Sequence, residues 1–411
     1  GHEVSAAGRL WKLRSHGAVT FADLKDSSGQ IQLLFQGDSL NEKYQQLKLF
    51  DVGDFLGVTG KVITTQAGQV TIEVNYFELL SKSIRPLPDD WYGLKDEETR
   101  YRERYIDLLL DDKLKLLFKQ KAIFWQSMRQ FLIEKGFLEV ETPVLENVFG
   151  GADANPFTTH HNALDTDLYL RISMGELWQK RLMVAGFEKT FEIGRQFRNE
   201  GISREHLQDY TQMEFYWAYA NYVDSRELVR DMYRYVAEKA FGTLQFTINN
   251  FQIDLAADWN LIDFSQSILE NLSIDIKSAS LTELQNKLHE LKVVYGPNDD
   301  RGRLIDLLWK HVRRSIAGPA FLINHPVEVS PLAKRMPENP DFVERYQVIL
   351  AGSEMGNGYS ELNDPIDQAN RFQSQQDLRD RGDKEAQMAD HDFVRSLEYG
   401  MPPVSGFGVS E

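Results

Sequence analysis

The sequence predicts an α+β protein in which a small five-stranded β-barrel precedes a larger domain built on an antiparallel sheet. Three observations support this prediction. The chain has 411 residues, more than a single hydrophobic core usually supports, so two or more domains are expected. Residues 4–80 contain only β-rich segments separated by turn signals. From residue 165 onward, helical and β-rich segments mix without the regular alternation that is typical of a parallel sheet.

The N-terminal region is typical of short strands joined by tight turns. The β-rich segments are VSAAGRLWKL, AVTFADLKD, QIQLLFQ, DFLGVTGKVITT and QVTIEVNYFELL, and the turn signals are SHG, SSG and QAG. Five strands in about eighty residues favour a closed barrel, and the OB-fold is the common five-stranded form. The alternative is a small sandwich without a ligand.

A segment rich in proline and charge follows the barrel. The stretch RPLPDDWYGLKDEETRYRERY contains two prolines and a dense run of charges, which are typical of a linker. We therefore expect an OB-fold barrel domain at residues 1–86, a linker at 87–112 and a second domain at 113–411.

The second domain opens with a long predicted helix. Apolar residues at helical spacing, followed by Gly136 as a natural stop, indicate a helix over about 111–135. The apolar residues are Leu114, Leu117, Phe124, Met128, Phe131 and Leu132. A strand is predicted at 137–145, and helices at 224–240 and 281–315, to which we assign only a packing role.

The composition excludes several classes of site. The sequence has no cysteine, so disulfides, thiolate metal sites and cysteine nucleophiles are excluded, and a cytoplasmic setting is expected. It has no run of eighteen apolar residues and no N-terminal signal pattern, so no membrane partner is expected. The abrupt start inside a predicted strand leads us to expect residues upstream. Neither a GxGxxG nor a GxxxxGK(S/T) sequence occurs, so a bound nucleotide would use another kind of site.

The acidic charge is concentrated in the second domain. The net charge of −16 argues against a general nucleic-acid coat, which would be basic. Residues 1–88 contain nine Lys or Arg and nine Asp or Glu, so they are neutral and the excess of acid lies in the remainder. Local basic patches can still bind phosphates.

The stretch FRNEGISREHLQDYTQMEFYWAYANY, residues 197–222, carries the clearest pattern of a binding site. Side chains alternate across a strand, so one face is polar, aromatic and acidic, with Tyr210, Gln212, Glu214 and Tyr216. The other face suits a core, with Thr211, Met213, Phe215 and Trp217. Arg198 and Glu200 share one face of the preceding predicted strand. Two strands joined by residues 201–209 would therefore line a ligand site; the alternative is a solvated hairpin with an internal ion pair.

A second alternation occurs in GSEMGNGYSELND. One face of this segment carries Asn357, Tyr359 and Glu361. Gly356 and Gly358 permit close approach of a backbone or a ligand. Glu354 has the opposite parity, so a bend at the glycines would be needed to bring it to the same side.

A third acidic residue, Glu176, lies in RISMGELWQKRL at a predicted helix start. It is a candidate for the same site. The alternative is an ordinary first-turn glutamate stabilised by the helix dipole.

These segments resemble the class II aminoacyl-tRNA synthetases. GRQFRNEGISREHLQDYTQMEFYWAYA resembles motif 2, the long helix with GFLEVETPVL resembles motif 1, and GMPPVSGFGVS resembles the start of motif 3. Within the class, PFTTHHNALDTDLYLRIS, HPVEVSPLAKR, GNGYSELNDP and LEYGMPP are similar to the lysyl-tRNA synthetases rather than to the related aspartyl and asparaginyl enzymes. The likeness covers essentially the whole chain.

The resemblance implies a fold, an activity and partners. It implies an anticodon-binding OB domain, a catalytic domain on an antiparallel sheet, and a homodimer formed through motif 1. It implies that ATP and Mg²⁺ activate L-lysine to lysyl-adenylate, from which the lysyl group passes to tRNA(Lys).

The resemblance also implies site residues. The implied ATP site consists of Arg198, Glu200, His206, Tyr210 and Glu354, with Arg198 and Glu200 catalytic and Tyr210 stacked on adenine. The implied Mg²⁺ ligands are Glu354 and Gln347. The implied lysine pocket consists of Gly151, Glu176, Glu214, Tyr216, Asn357, Tyr359 and Glu361. The implied anticodon-reading residues are Arg14, Phe21, Gln32 and Glu78.

Charge favours lysine among the related substrates. Lysine carries two ammonium groups and one carboxylate, so its pocket needs carboxylates at two separated points and one cation. Glu176 at one end, and Glu214 with Glu361 at the other, would supply them. An aspartate pocket would need a cation where Glu214 stands.

The sequence departs from the family pattern at several positions. Gln347 replaces a second Mg²⁺-binding glutamate, so a lower metal affinity or count is expected. Asn155 and Leu207 replace a common arginine and asparagine. The chain ends at GFGVSE, before the motif 3 arginine, so we expect weak or no adenylation from these residues alone. The alternatives are a regulatory RNA-binding homologue, or a lysine ligase acting on a protein, against which the barrel counts.

Overall fold

A computed structural model of the chain describes residues 1–88, 94–152, 154–201, 207–297, 299–380 and 387–410. The chain forms two compact units, Gly1–Leu116 and Leu117–Glu411, and together they combine helices with mostly antiparallel sheets, as an α+β fold does. No helix in the described parts of the chain combines the length and the apolar character that crossing a bilayer requires.

The first unit contains the predicted five-stranded barrel, which is confirmed. Its strands are β1 (Glu3–His16), β2 (Val19–Lys25), β3 (Gln30–Gln36), β4 (Phe55–Thr64) and β5 (Val70–Ser81). They close in the order β1-β2-β3-β5-β4, and only the β3–β5 pair is parallel. Alternate side chains fill the interior, among them Leu10, Ala22, Leu33, Phe35, Val58 and Ile72. The short helix α1 (Gly37–Leu40) and a 3₁₀ helix (Asn41–Leu49) add to the same core.

Three helices follow the barrel, namely α2 (Glu97–Arg102), α3 (Arg104–Leu110) and α4 (Asp112–Glu134). Helix α4 confirms the prediction of a long helix, and Gly136 beyond its end has a φ of 80°, which suits a glycine stop. Its second half is buried through Met128, Phe131 and Leu132, whereas its first half exposes a row of apolar side chains. Their exposed fractions are 54% for Leu116, 56% for Leu117 and 52% for Phe118.

The second unit is built on an eight-stranded sheet. Its strands are β6 (Leu138–Glu139), β10 (Lys189–Phe197), β11 (Asp209–Ala218), β14 (Asn260–Asp263), β15 (Ala320–Pro326), β16 (Phe342–Leu350), β17 (Ser353–Ser360) and β18 (Val404–Ser410). Their order is β14-β15-β16-β17-β18-β11-β10-β6. Only the two outermost pairs are parallel, so the predicted antiparallel sheet is confirmed in its central six strands.

Smaller sheets surround this sheet, together with seven further helices in the residues that the structure describes. The additional strands are β7 (Leu145–Glu146), β8 (Thr158–His161), β9 (Thr166–Leu170), β12 (Gln245–Ile248) and β13 (Phe251–Asp254). The helices are α5 (Glu176–Val184), α6 (Tyr222–Phe241), α7 (Phe264–Leu272), α8 (Leu281–Glu290), α9 (Arg301–Arg313), α10 (Pro365–Asp380) and α11 (His391–Glu398). One core lies between the sheet, α4 and α6, and another lies between α7, α8, α9 and β15.

Two predicted elements differ from the structure. The helical prediction at 281–315 is confirmed over α8 and α9 but not between them, where Lys292 has a φ of 57° and a Gly-Pro pair follows. The helix predicted at 224–240 is confirmed as α6, which begins with a capping box at Asn221.

The strand predicted at 137–145 is wrong, because only the two-residue strands β6 and β7 form there. Between them, the backbone N–H and the hydroxyl of Thr142 donate to Glu192 Oε2 at 3.1 and 2.7 Å. Pro143 has no backbone N–H, so it cannot donate a hydrogen bond to a neighbouring strand. Glu192 in turn accepts from the buried Arg171 guanidinium at 2.6 Å. A side-chain anchor therefore replaces strand pairing in this segment.

Replacing Glu192 by glutamine should lower the free energy of unfolding of the second unit by about 3 kcal/mol or more, because it leaves the buried Arg171 without its counter-charge. Urea unfolding curves measure this change. The control is Glu139→Gln, which breaks a half-exposed pair with Arg129 at 2.9 Å and should cost less than about 1 kcal/mol. Equal losses in the two variants would contradict the anchor.

Candidate active site

A cavity of about 940 Å³ opens on one face of the central sheet in the second unit. Strands β11, β17 and β18 form its floor. The start of α5 and the segment around Gly151 lie on one side, and α9 lies on another. Most residues that the sequence predicted for a ligand site line this cavity.

Strand β11 divides its side chains as predicted. It pairs with β10 on one side and β18 on the other, which fixes its pleat. Its cavity face consists of Tyr210, Gln212, Glu214 and Tyr216. On the opposite face, Met213 and Phe215 are fully buried in the core and Trp217 packs against it. Thr211 is not part of that core; its hydroxyl contacts Arg195 at 3.2 Å.

Arg198 and Glu200 line the cavity but do not lie on a strand face, because β10 ends at Phe197. Arg198 Nε donates to the carbonyl of Ile172 at 3.2 Å, and its guanidinium carbon lies 5.7 Å from the centre of the Tyr210 ring. His206 lies outside the described residues.

A β-bulge brings Glu354 to the same side as Asn357, Tyr359 and Glu361. The ladder between β16 and β17 pairs Gln347 with Asn357 but Ile349 with Glu354, so one extra residue is inserted in β17. The bend predicted at the glycines is therefore present. All four of these polar residues line the cavity.

The two glycines of this segment accommodate core rings rather than a ligand. A β-carbon at Gly356 would lie 2.4 Å from the Phe407 ring, and one at Gly358 would lie 2.6 Å from the Tyr346 ring. Both aromatic rings are buried. The predicted close approach is thus correct, and its partner is the core beneath the sheet.

Three carboxylates and one ammonium group form a buried cluster in the cavity floor. Lys180 Nζ lies 2.7 Å from Glu176 Oε1 and 2.5 Å from Glu361 Oε2. The Tyr216 hydroxyl donates to Glu176 Oε2 at 2.8 Å and lies 3.2 Å from Glu214 Oε2. The two acidic ends that the sequence predicted as separate are therefore joined through Tyr216 and Lys180 into one cluster.

Sequence reasoning missed Lys180. The only signal for it was its position four residues after Glu176 on a predicted helix, which is the favourable order for such a pair. Nothing in the local sequence indicated that Glu361, from a distant strand, would share it.

Glu214 and Glu176 accept further hydrogen bonds. Glu214 Oε1 accepts from the Ser173 hydroxyl at 3.1 Å, the Met174 N–H at 3.0 Å and the Gln212 amide at 2.5 Å. The Tyr359 hydroxyl donates to Glu176 Oε1 at 2.6 Å. These donors hold the carboxylates in fixed orientations.

The cluster shifts the pKa values of its members. Burial raises the pKa of Glu214 to about 8, and repulsion by Glu176 adds to the shift. Burial also raises the pKa of Glu361 well above its ordinary value, although Lys180 opposes this. Burial would lower the pKa of Lys180, but Glu176 and Glu361 outweigh it and raise that pKa. Lys180 is therefore charged at neutral pH, whereas Glu214, with a pKa of about 8, mostly holds a proton there in the ligand-free protein.

Two glycines leave room for this cluster. Gly151, with a φ of 86°, brings its backbone so close that a β-carbon would lie 2.7 Å from the Glu176 β-carbon. Its N–H donates to Gln387 Oε1 at 3.1 Å. A β-carbon at Gly406 on β18 would lie 2.3 Å from Glu361 Oε1.

Glu354 lies in a different part of the cavity wall. Its Oε1 lies 2.9 Å from Arg313 Nη1 on α9, and its Oε2 accepts from the Gln347 amide at 3.1 Å. Gln347 is buried and its Oε1 lies 3.2 Å from His325 Nε2. In the described ranges, no three His, Cys, Asp or Glu side chains come together as a metal site. One carboxylate beside an open cavity still suits Mg²⁺ that arrives with phosphates, since Mg²⁺ commonly takes one or two protein carboxylates.

Helix α9 contributes a basic wall, which corrects the prediction that this segment only packs. The cavity-lining cations here are Arg303, Lys310 and Arg313 of α9, and Arg314, which directly follows it. Their spacing places them near one side of the helix, while Leu304, Ile305 and Leu308 are buried on the other. Arg345 on β16 also reaches the cavity and donates to Asn357 Oδ1 at 2.8 Å.

In the barrel, the structure brings together three of the four predicted nucleic-acid contacts. One cross-strand row on the face opposite the core runs through Arg14, Phe21, Leu34 and Glu73. Gln32 lies on the same face, where it accepts from the Thr71 hydroxyl at 2.9 Å. Glu78 lies apart from this row, five residues and roughly 15 Å farther along β5 than Glu73. Glu73 is thus the acidic residue that the strand register places in this row, which the sequence did not predict.

The raised pKa of Glu214 predicts a specific pH dependence of stability. A carboxyl whose folded pKa is about 8, against an ordinary 4.5, stabilises the fold below pH 4.5, and this stability is lost as pH rises towards 8. Glu214→Gln should therefore become increasingly more stable than the wild type across this window, by up to about 1.4 kcal/mol per pH unit.

Unfolding curves of the ligand-free protein at several pH values measure this difference. The control is Asp209→Asn on the same strand, whose carboxylate is exposed and paired with Arg195. That control should show no growing difference, and a pH-independent difference for Glu214→Gln would contradict the shift.

Comparisons with known proteins agree with this architecture. A family described as tRNA synthetases class II (D, K and N) matches residues 96–410, and one described as OB-fold nucleic acid binding domain matches residues 4–80. The chain is 45% identical over 412 aligned positions to the lysine–tRNA ligase of Moorella thermoacetica, covering 100% of this chain and 84% of the relative. It is 46% identical to that of Fervidobacterium nodosum, covering 99% and 79%. The chain belongs to the class II tRNA synthetase family of the aspartate, lysine and asparagine enzymes, with an N-terminal OB-fold domain.

Proposed function

We propose that this chain is a lysine–tRNA ligase, which activates L-lysine with ATP to lysyl-adenylate and transfers the lysyl group to tRNA(Lys). The observation that carries the proposal is the buried cluster of Glu176, Glu214 and Glu361 with the single cation Lys180. The relatives named lysine–tRNA ligase, aligned over essentially the whole chain, support it.

Charge identifies the amino acid. With all groups ionised, three carboxylates and one ammonium leave two negative charges in excess in a site with little water. Free lysine brings two ammonium groups, and charge-assisted hydrogen bonds to them would replace the proton that Glu214 otherwise holds at neutral pH. An aspartate side chain would add a further negative charge to the cluster, which is strongly unfavourable.

The proposed roles follow the arrangement of the cavity. Glu176 binds the α-ammonium group, and Glu214 with Tyr216 and Glu361 binds the side-chain ammonium group. Gly151, Asn357 and Tyr359 line the pocket, as their positions in the cavity support. Arg198 binds the substrate carboxylate and the α-phosphate.

Adenylation then needs positioning rather than a covalent enzyme group. A carboxylate oxygen of lysine attacks the α-phosphorus of ATP, and the bond to pyrophosphate breaks. Arg198 stabilises the charge that develops on the phosphorus oxygens, and its loss should cost about 3 kcal/mol of activation. A hydroxyl of the tRNA 3′ end then attacks the carbonyl carbon of the adenylate and AMP leaves. Glu200 and His206 serve the ATP, and Tyr210 stacks on adenine.

Magnesium belongs to the proposal as an ion that accompanies ATP. Glu354 would be its carboxylate ligand and Gln347 an uncharged one. When bound, Mg²⁺ would neutralise part of the triphosphate charge.

The two other functions are not favoured. A lysine ligase acting on a protein has no use for an anticodon-binding barrel, and the lysine–tRNA ligase relatives align with the barrel as well as with the catalytic unit. A regulatory RNA-binding homologue would not need the buried cluster of Glu176, Glu214, Glu361 and Lys180, so the presence of this cluster counts against that function.

The proposal extends to partners and location. The barrel row of Arg14 and Phe21, with Gln32 beside it, would contact the anticodon, and Glu73 is better placed than Glu78 to join them. A homodimer through α4 would cover its exposed apolar row. A cytoplasmic location is part of the same proposal.

Lysine-dependent exchange between ATP and labelled pyrophosphate tests the function directly. Glu214→Gln should weaken lysine binding about 10- to 100-fold, since charge-assisted hydrogen bonds contribute about 1.5–3 kcal/mol each. Calorimetry should show this loss with the affinity for ATP unchanged. Asp209→Asn, the matched removal of a charge outside the cavity, should bind lysine normally. The exchange assay is run on this chain and on a version extended through the motif 3 arginine, and absence of lysine-dependent exchange in an extended version that binds ATP would contradict the function.

Phe21→Ala should weaken binding of tRNA(Lys) by about 1–3 kcal/mol, because one base would lose its stacking partner. Filter binding or fluorescence anisotropy with labelled tRNA measures this loss. The control is Tyr76→Ala, which removes an exposed aromatic ring from a different strand of the barrel. If both variants lose the same affinity, Phe21 does not mark the anticodon contact.

Leu117→Arg should convert the dimer to monomer, because it places a charge in the apolar row of α4. Light scattering coupled to size-exclusion chromatography measures the mass. Leu164→Arg alters a leucine that is 69% exposed elsewhere in the same unit and should leave the mass unchanged. A monomeric wild-type protein would refute the dimer.

A further inference from the structure

The ion pair between Arg313 and Glu354 joins the basic wall of the cavity to the proposed Mg²⁺ ligand. The two charged atoms lie 2.9 Å apart, and the side chains are 16% and 27% exposed. Both residues line the cavity, so the pair faces the space that a nucleotide would fill.

Gln347 holds the other oxygen of Glu354 without adding charge. Its amide donates to Glu354 Oε2 at 3.1 Å, and its carbonyl oxygen lies 3.2 Å from His325 Nε2. A glutamate at this position would place two carboxylates about as close together, an arrangement that needs a cation between them. With glutamine that need disappears, and Arg313 provides the positive charge next to Glu354.

Two more cations adjoin this pair, one on α9 and one directly after its end. Lys310 lies one turn before Arg314, and both line the same cavity. Lys310 also pairs with Asp306 at 2.8 Å, with 40% of its side chain exposed. Against the two carboxylates of Glu354 and Asp306, Arg313, Lys310 and Arg314 leave an excess of one positive charge in this part of the molecule, which suits an anion.

Arg313 retains hydrogen-bonding capacity beyond Glu354. Its Nε is buried and donates to no other described residue. Guanidinium groups present several N–H donors in a fixed plane that matches phosphate oxygens two at a time. A buried donor without a hydrogen-bond partner costs folding free energy. If Arg313 served only to connect α9 to β17, this unused Nε–H donor would have no explanation.

We propose that Arg313, flanked by Lys310 and Arg314, binds the β- and γ-phosphates of ATP beside Glu354 and replaces a second metal ion there. The proposal rests on the proposed function, because it assumes that ATP binds in this cavity. It deepens that function by assigning α9 to the nucleotide and by explaining why Gln347 can stand where a carboxylate would bring in metal.

The first test compares ATP with AMP in direct binding measurements. Arg313→Ala should weaken ATP binding at least tenfold and leave AMP binding unchanged, because AMP lacks the β- and γ-phosphates. Arg313→Lys should restore only part of the ATP affinity, since it keeps the charge and loses the planar fork. Lys287→Ala removes a cation of α8 outside the cavity and should change neither affinity.

The second test counts metal ions with Mn²⁺ as a paramagnetic probe in the presence of ATP. The wild type should bind one Mn²⁺ per site with ATP. The double variant Arg313→Ala with Gln347→Glu should bind two, because a second carboxylate replaces the guanidinium.

Specific outcomes would overturn the proposal. Equal loss of ATP and AMP affinity in Arg313→Ala would show that Arg313 only connects α9 to β17 and does not bind the β- and γ-phosphates. Two Mn²⁺ ions bound to the wild type would show that Arg313 replaces no metal ion. Lysine binding does not involve α9, so a failure of this proposal leaves the lysine measurements intact. A failure to bind lysine would instead count against the function itself.

Discussion

Glu176, Glu214 and Glu361 are buried side by side, and like charges repel strongly where little water is present. The repulsion is offset by one buried ammonium, by two phenolic hydroxyls and by backbone and side-chain donors around Glu214. The partners come from α5, β11 and β17, so these elements must meet within hydrogen-bonding distance. Gly406 and Gly151 are required for the same reason, since any β-carbon there would collide with the cluster.

The cavity separates two kinds of charge. Its floor is acidic around Lys180, whereas α9 and Arg198 make another part basic. A substrate with two ammonium groups and a second substrate with a polyphosphate can therefore bind in one space without competing for the same side chains. Their reacting atoms would meet between these parts, where Arg198 and Tyr210 lie.

Much of this arrangement could be predicted from period-two patterns. The cavity face of β11 and the barrel strands follow from alternation alone, because a pleated strand leaves each side chain only two directions. The bend that brings Glu354 into the cavity could be predicted from the alternation of side chains and from two glycines.

The sharing of Lys180 by Glu176 and Glu361 could not be predicted, because it depends on two segments 181 positions apart in the sequence meeting in space. The basic wall of α9, the anchoring of Thr142 by Glu192 and the row through Glu73 were missed for the same reason. Each is a cross-strand or tertiary relation that no local window contains.

The extra residue in β17 has a consequence for how this site tolerates insertions and deletions. Because Met355 and Gly356 together oppose a single residue of β16, the residues before this pair have the reverse parity of the residues after it. Removing one residue here would restore a regular ladder, yet it would turn Glu354 into the core and leave Asn357 where it is. The length of this segment is consequently as strictly constrained as the chemistry of its side chains, although no single side chain reveals it.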